Sequence, residues 1–255
     1  MLSDTLYIYL FSLSFVLSVA FLSPTADAAE RGKGVQIHYF GHACFMLKNL
    51  SGTSVLIDPY TGLDYPPLKV EADIVLITHE HFDHNAVGDV TGNPVVIHGL
   101  TKDGKGWNAI DKSFKDVHIL AFPSYHDRNK GADRGKNTIF LIHIGGLSIA
   151  HLGDIGYVPT KEELKKLPPI DILLIPVGGF YTIEPEEADE IAAHINPRIL
   201  IPMHYKTKGS GKLPIKPLDV FLKGKKNVEE VNSAVYVVSP EVLPKKMKIV
   251  VLQPR

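Results

Sequence analysis

From Gly34 onward, short apolar runs rich in β-branched residues alternate with turn residues. Residues 35–40 (VQIHYF), 43–48 (ACFMLK) and 54–59 (SVLIDP) read as a meander of three strands. Residues 73–78 (DIVLIT) are apolar almost throughout, the pattern of a strand covered on both faces. Further strands are predicted at 94–99, 117–122, 138–144, 147–152, 171–177, 198–204, 234–239 and 248–252. Gly145-Gly146 supplies a hairpin turn between two of them. Helical signals are fewer. Thr160 and Glu163 form a capping box opening a helix that stops at Pro168-Pro169. Residues 185–195 begin with Pro, carry acids in the first turn and place His194 in the last, in keeping with the helix dipole. Short helices are expected after Asp83 and near Leu218, and 129–137 (NKGADRGKN) reads as a polar loop.

Many strands with interspersed helices, no internal repeat and no long linker indicate one α/β domain with layered sheets. The 255 residues, 45% hydrophobic and 22% charged, suffice for one large core. The net charge of −1 offers no polybasic surface, which argues against a nucleic-acid partner. A single cysteine, Cys44, excludes an intrachain disulfide framework and a cysteine-rich zinc finger, and reads as a small core residue. The N-terminus differs from the rest. Leu6 to Leu22 is mostly apolar and uncharged, and Ala26-Asp27-Ala28 has the small-x-small pattern of a signal-peptidase site. Residues 1–28 are therefore expected to be a signal peptide, leaving 29–255 as an exported domain, periplasmic or secreted, with no stable membrane association. The alternative is an uncleaved N-terminal membrane anchor.

The densest chemistry lies in ITHEHFDHNAVGD, Ile77 to Asp89, where His79, His81, Asp83 and His84 fall within six residues. Two histidines separated by one residue project to the same side of an extended segment. Here that segment emerges at the C-terminal end of a buried strand, where α/β sites form. Imidazole nitrogens plus a carboxylate suit Zn²⁺, with Mn²⁺ or Fe also accepted. Other strand ends lead into His126 (AFPSYHD), Asp154 (IAHLGDIG) and His204 (LIPMHY). A site assembled from loops on a rigid sheet has this form.

The order H-x-H-x-D-H, a lone His, Gly-Asp and a late His closely resembles the metallo-β-lactamase superfamily. YFGHACFML, LIDPYTG, IPVGGFYTIEPEEA and IPMHY resemble its subgroup of small metal-dependent hydrolases that includes the ascorbate-6-phosphate lactonases. The resemblance runs from about Val35 to Lys206 and implies a four-layer αβ/βα sandwich with the metals in a cleft at its edge. It implies His79, His81 and His126 on a first metal, Asp83, His84 and His204 on a second, and Asp154 bridging both. Two divalent ions so placed lower the pKa of a bridging water and polarise a carbonyl or phosphoryl oxygen. The expected activity is hydrolysis of an ester, lactone or phosphodiester in a small-molecule substrate by a bridging hydroxide on two Zn²⁺ (or Mn²⁺). The alternative is a metal-binding protein of the same fold without turnover. Asp83 would orient the hydroxide and shuttle its proton, while His42, matching a histidine of the subgroup, would touch substrate above the metals. Asp58 is expected either to hold a ligating imidazole or simply to end its strand at Pro59. Tyr205 and Arg128 are candidate substrate contacts, as are Tyr125, Asp127, Arg134 and Lys206. His38, His98, His118, His143 and His151 lie within strands and read as structural.

Overall fold

The computed structural model describes residues 33–255, so the expected signal segment and its boundary at 28 lie outside the described residues. Two mixed sheets carry the chain. The first has six strands, in the order Val235–Val238, Val35–Gly41, Cys44–Asn49, Ser54–Ile57, Ile74–Ile77 and Val95–His98. The second runs Val228–Val231, Lys248–Leu252, Ile199–Met203, Ile172–Pro176, Leu147–His151, Lys136–Ile144, Val117–Tyr125 and Asp111–Phe114. The three-strand meander and the Gly145-Gly146 hairpin form where the sequence places them, with Ile144 opposite Leu147.

Strand period explains how the layers assemble. In Ser54–Ile57 and Ile74–Ile77 every residue is buried, but alternate side chains serve different cores. Val55, Ile57, Ile74 and Leu76 face a cluster continuous with Phe140, Ile149, Leu174 and Ile201 of the second sheet. Leu56, Val75 and Ile77 face the opposite way, against Tyr60, Tyr65 and Leu68 of the following loop. The sheets are thus the inner layers of the sandwich. Helix Pro185–Ile195 buries Ala188, Ile191 and Ala192 and packs on Ile172–Pro176. Helices are few. The one opened by Thr160 spans only Lys161–Leu164, Leu218–Leu222 is a short helix, and after Asp83 there is a single 3₁₀ turn, Val87–Asp89. Four strands escape the hydrophobic pattern: Val70–Glu71 and Val90–Thr91, which pair as a small separate sheet, and Asp111–Phe114 (DKSF) and Val228–Val231 (VEEV), the two edges of the second sheet. Half-solvated edges tolerate charged residues, which hides them from a reading based on apolar runs.

Ser54–Ile57, Ile74–Ile77 and Val95–His98 are mutually parallel, as are Leu147–His151, Ile172–Pro176 and Ile199–Met203. Their C-terminal ends open on a common rim, which fixes where the chemistry must gather. The hairpin glycine locks the far side: Gly145 has φ +56° and accepts the Gly34 N–H at 2.9 Å. A Cβ on Gly145 would lie 2.3 Å from the Gly34 carbonyl oxygen, whereas one on Gly104, at φ +67°, would meet nothing within 4 Å. We expect Gly104→Ala to cost only left-handed backbone strain, about 1 kcal/mol, and Gly145→Ala distinctly more. Denaturant midpoints of the two variants check this, and equal losses would contradict the close approach.

Candidate metal centre

Each polar residue of the rim sits just past the end of a strand. His42 occupies the turn after Val35–Gly41, Asp58 follows Ser54–Ile57, and Thr78 and His79 follow Ile74–Ile77. His126 follows Val117–Tyr125, Asp154 lies in the turn after Leu147–His151, and His204 follows Ile199–Met203. Except for His81, which is exposed, and Asp83, the histidines and aspartates of this set are buried.

Asp154 lies at the middle. Its Oδ2 is 3.3 Å from His84 Nε2, 3.3 Å from His126 Nε2 and 3.1 Å from His204 Nε2. Burial by itself would raise the Asp154 pKa, but the imidazoles of His204 and His84 outweigh it and hold the carboxyl well below its usual range. The first sheet orients its own imidazoles through Asp58. That carboxylate accepts from the Thr78 N–H at 2.8 Å, the Thr78 hydroxyl at 2.6 Å and His84 Nδ1 at 2.9 Å. With its proton committed to Asp58, the Thr78 hydroxyl accepts from His79 Nδ1 at 2.9 Å. One carboxylate thereby fixes two tautomers, turning Nε2 of His84 toward Asp154 and Nε2 of His79 toward His81 Nδ1, 3.1 Å away. Burial depresses the pKa of His79 and His81, favouring the neutral ligand form. In His84 burial pulls the pKa down, but Asp154 and Asp58 outweigh it and raise it, so a metal there would displace a proton.

These donors fit a metal. Of seven buried side-chain polar atoms without a partner among the described residues, five belong here: His42 Nδ1, His84 Nε2, His126 Nδ1, His204 Nδ1 and Asp154 Oδ1. Unpaired polar atoms are costly when buried, and their concentration at one point calls for a ligand that accepts lone pairs. Two triads have donor atoms mutually within 4.8 Å in the expected positions, His79–His81–His126 and His42–His84–His204. A third group, Asp58–His79–His84, overlaps them, and His42 lies beside His84 and His204. Asp83, expected on the second metal, has its Oδ2 3.1 Å from His42 Nε2.

Asn137, which the sequence did not flag, and His151, expected to be structural, hold the parts in register. Asn137 accepts the Asp154 N–H at 3.0 Å and donates to the Leu152 carbonyl at 2.8 Å. His151 donates to the Ala43 carbonyl at 2.8 Å and accepts the Gly153 N–H at 3.1 Å, tying the His42 turn to the Asp154 turn. Gly153 admits no Cβ, because Asn137 Oδ1 would be 2.3 Å away.

A pocket of about 410 Å³ opens onto the cluster, lined by His81, Phe82, Asp83, His126, Asp133, Arg134, Tyr181, His204 and Leu213. Arg134 and Tyr181 form a cation–π pair at 5.6 Å. Asp127 organises the loop bearing Arg134, accepting backbone N–H groups of Asn129, Gly131, Asp133 and Arg134 at 2.7 to 3.1 Å. Two residues expected to meet substrate are committed elsewhere. Arg128 makes a bidentate contact with Glu187 at 2.8 and 2.7 Å, and Tyr205 is buried with its hydroxyl on the Leu252 carbonyl at 3.3 Å. Lys206 is occupied too, donating to the carbonyls of Gly211 and Leu213. Of the strand histidines, His98, His118 and His143 pair locally with Glu80, Asp111 and Ser148, and His194 caps its helix through the Glu190 carbonyl. A larger hollow, about 570 Å³ around Lys48, Asp73, Lys115 and Asp116, has its acids already satisfied by Lys115 and by Ser51 and Thr53.

A fold of two mixed sheets with histidines and one carboxylate gathered at a rim defines a metallo-β-lactamase-type protein. The family model described as "Beta-lactamase superfamily domain" matches residues 36–204, and the chain belongs to that superfamily. Within it, the chain belongs to the UPF0173 metal-dependent hydrolase family. It is 36% identical to the UPF0173 protein of Pyrococcus abyssi over 191 residues, covering 69% of this chain and 86% of that one. The UPF0173 metal-dependent hydrolase of Thermococcus onnurineus is 32% identical over 195 residues, 68% of this chain and 85% of its own. A crystal structure of a metallo-β-lactamase superfamily protein from Thermotoga maritima superposes with a TM-score of 0.68 at 36% identity. The match covers 86% of this chain and 98% of that one.

Because Asp58 fixes both His79 and His84, Asp58→Asn should weaken metal binding about 10–100-fold with the fold retained. Competition with a chromophoric chelator measures the loss. Unchanged affinity would show that the imidazoles are oriented without it.

Proposed function

We propose that this protein is a dinuclear metal hydrolase acting on a small ester, lactone or phosphodiester. The observation that carries the reading is the Asp154 oxygen set among three imidazole nitrogens, flanked by partnerless donors. His79, His81 and His126 would hold one ion, His84 and His204 the other, with Asp154 between them. The donor set suits Zn²⁺ and also admits Mn²⁺ or Fe. Bound there, divalent ions supply Lewis acidity that lowers the pKa of water and polarises the scissile carbonyl or phosphoryl group.

The remaining duties fall to the chain itself. Asp83 lines the pocket with 16% of its side chain exposed. Burial tends to raise its pKa, but the hydrogen bond from His42 and the nearby His84 and His42 imidazoles together outweigh that and keep Asp83 ionised, able to accept from and orient the attacking water. Phe82, Tyr181 and Leu213 make an apolar wall that limits water and seats the organic part of a substrate. Arg134 stands in the same wall, held by the Asp127-organised loop, and would receive an anionic substituent. The partner is a small molecule, and export follows if residues 1–28 act as a signal.

Elemental analysis of purified protein should find about two ions per chain, falling towards one in His84→Ala and in His126→Ala. Chelation should abolish hydrolysis across an ester, lactone and phosphodiester panel, and added Zn²⁺ or Mn²⁺ should restore it. A parent that retains two ions yet hydrolyses nothing in the panel would favour a metal-binding role without turnover.

A further inference from the structure

Two aromatic side chains stand exposed among the described residues, Phe82 at 59% and Phe180 at 55%, and both stand at the pocket. The backbone is strained to hold Phe180 there. Its φ is +62°, a left-handed conformation that a bulky side chain rarely adopts. Gly178 and Gly179 make the turn possible: a Cβ on the first would strike the His204 carbonyl oxygen, and one on the second would lie 2.5 Å from Glu184 Oε2. Lys216 locks the turn, donating its backbone N–H to the Gly178 carbonyl at 2.7 Å and its ammonium to Glu184 at 2.6 Å. Phe82 is also fixed, its ring lying over Gly62, where a Cβ would come 2.8 Å from Cε2. Interior packing does not explain rings held in solvent on pinned backbone; the apolar surface of a ligand does.

The rings border two adjoining hollows. The metal pocket of about 410 Å³ shares Phe82, Tyr181 and Leu213 with a second hollow of about 370 Å³, which runs on to Leu63, Lys212 and Pro214. Phe180 meets Tyr181 edge-on, 4.7 Å between centroids. No residue of the metal triads lines the second hollow, so it carries the groove away from the metals. Its two charged residues, Asp64 and Lys212, have opposite signs and offer a ligand no net charge. We infer that the substrate has an elongated hydrocarbon arm, which leaves the scissile bond at the metals, crosses Phe82 and Tyr181 and ends in the second hollow. Phe82 and Phe180 then set the preference for that arm. The inference rests on the hydrolase reading above and names its substrate class, esters with a long apolar chain. A compact substrate would fill only the metal pocket and leave the exposed rings uncovered, whereas a chain removes them from water along its length.

The test uses metal-loaded protein, comparing the parent with Phe82→Ala and Phe180→Asn. Asparagine tolerates left-handed backbone, so Phe180→Asn removes the ring without relieving the turn. Circular dichroism and metal per chain confirm that fold and site survive. The ratio kcat/KM is measured by pH-stat on methyl esters from acetate to octanoate and on acetates from methyl to octyl. Calorimetry measures binding of the straight-chain carboxylates from acetate to octanoate. In the parent we expect kcat/KM in one ester series, and carboxylate affinity, to rise about twofold to fourfold per added methylene. In each variant the ratio between the longest and shortest members should fall about tenfold. Flat dependence on chain length in both ester series overturns the inference and leaves the exposed rings to a protein partner. A parent-like dependence in both variants overturns it as well. If no ester is hydrolysed, the carboxylates decide alone. Affinity that climbs with length and falls in the variants then upholds the groove while the hydrolase reading fails, and flat affinity overturns both.

Discussion

The structure turns on one carboxylate oxygen shared among imidazoles that arrive from two different sheets. His84 comes from the first sheet, while His126, His204 and Asp154 itself come from the second. Closing Asp154 Oδ2 onto three Nε2 atoms at 3.1 to 3.3 Å therefore fixes the spacing of the two rims as well as the site. Apolar contact between the sheets sets their separation only loosely, because hydrophobic burial has no direction. The polar rim converts that loose packing into a single register. Asn137 and His151 extend the same constraint: Asn137 ties the Asp154 turn to the neighbouring strand, and His151 ties it to the His42 turn.

Holding donors so close demands backbone that most side chains avoid. Among the non-glycine residues with positive φ are His42, Asp58 and His204, at +54°, +47° and +53°, and all three meet at the rim. Each begins just beyond a strand and turns the chain sharply, so that the side chain points into the cluster rather than along the sheet. Strain of this kind survives only where surrounding bonds over-determine it. Here they do: Asp58 holds Thr78 and His84, and His204 is bonded through its N–H to the strained His42. The strain and the unpartnered atoms are two aspects of one preorganised site, whose stability improves when a cation is bound.

How much of this could be read from the sequence follows from the range of each interaction. His79, His81, Asp83 and His84 are legible because their chemistry is packed into six residues at a strand end. His126, Asp154 and His204 are legible because each ends an apolar run. Asp58 was open to two readings, since an Asp-Pro turn looks the same whether or not an imidazole lies beside it 26 positions on. Thr78 and Asn137 carry no local signal, because their key partners come from neighbouring strands and turns, whereas His151 reads correctly as structural without revealing its partner Ala43. Arg128 and Tyr205 misled for the complementary reason: a charged or phenolic side chain beside a ligand can turn to Glu187 or to Leu252, and only packing decides. Asp83 is legible from the motif, but its contact with His42, 41 positions away, is not.

That division of range also separates what the fold holds constant from what it leaves adjustable. Metal donors sit on strand ends whose positions are fixed by two sheets and a shared core, so a change there disturbs folding and chemistry together. The pocket wall is built from loops pinned at their bases by interior bonds. Asp127 gathers four backbone amides beneath Arg134, and Lys206 grips the carbonyls of Gly211 and Leu213. Gly209 lies so close to Tyr65 that a Cβ would fall 2.0 Å from its ring. With their bases fixed, the tips bearing Phe82, Arg134 and Leu213 can be exchanged without moving a strand end. Relatives that share this rim therefore need not share a substrate, because the pocket wall can vary while the strand ends stay in place.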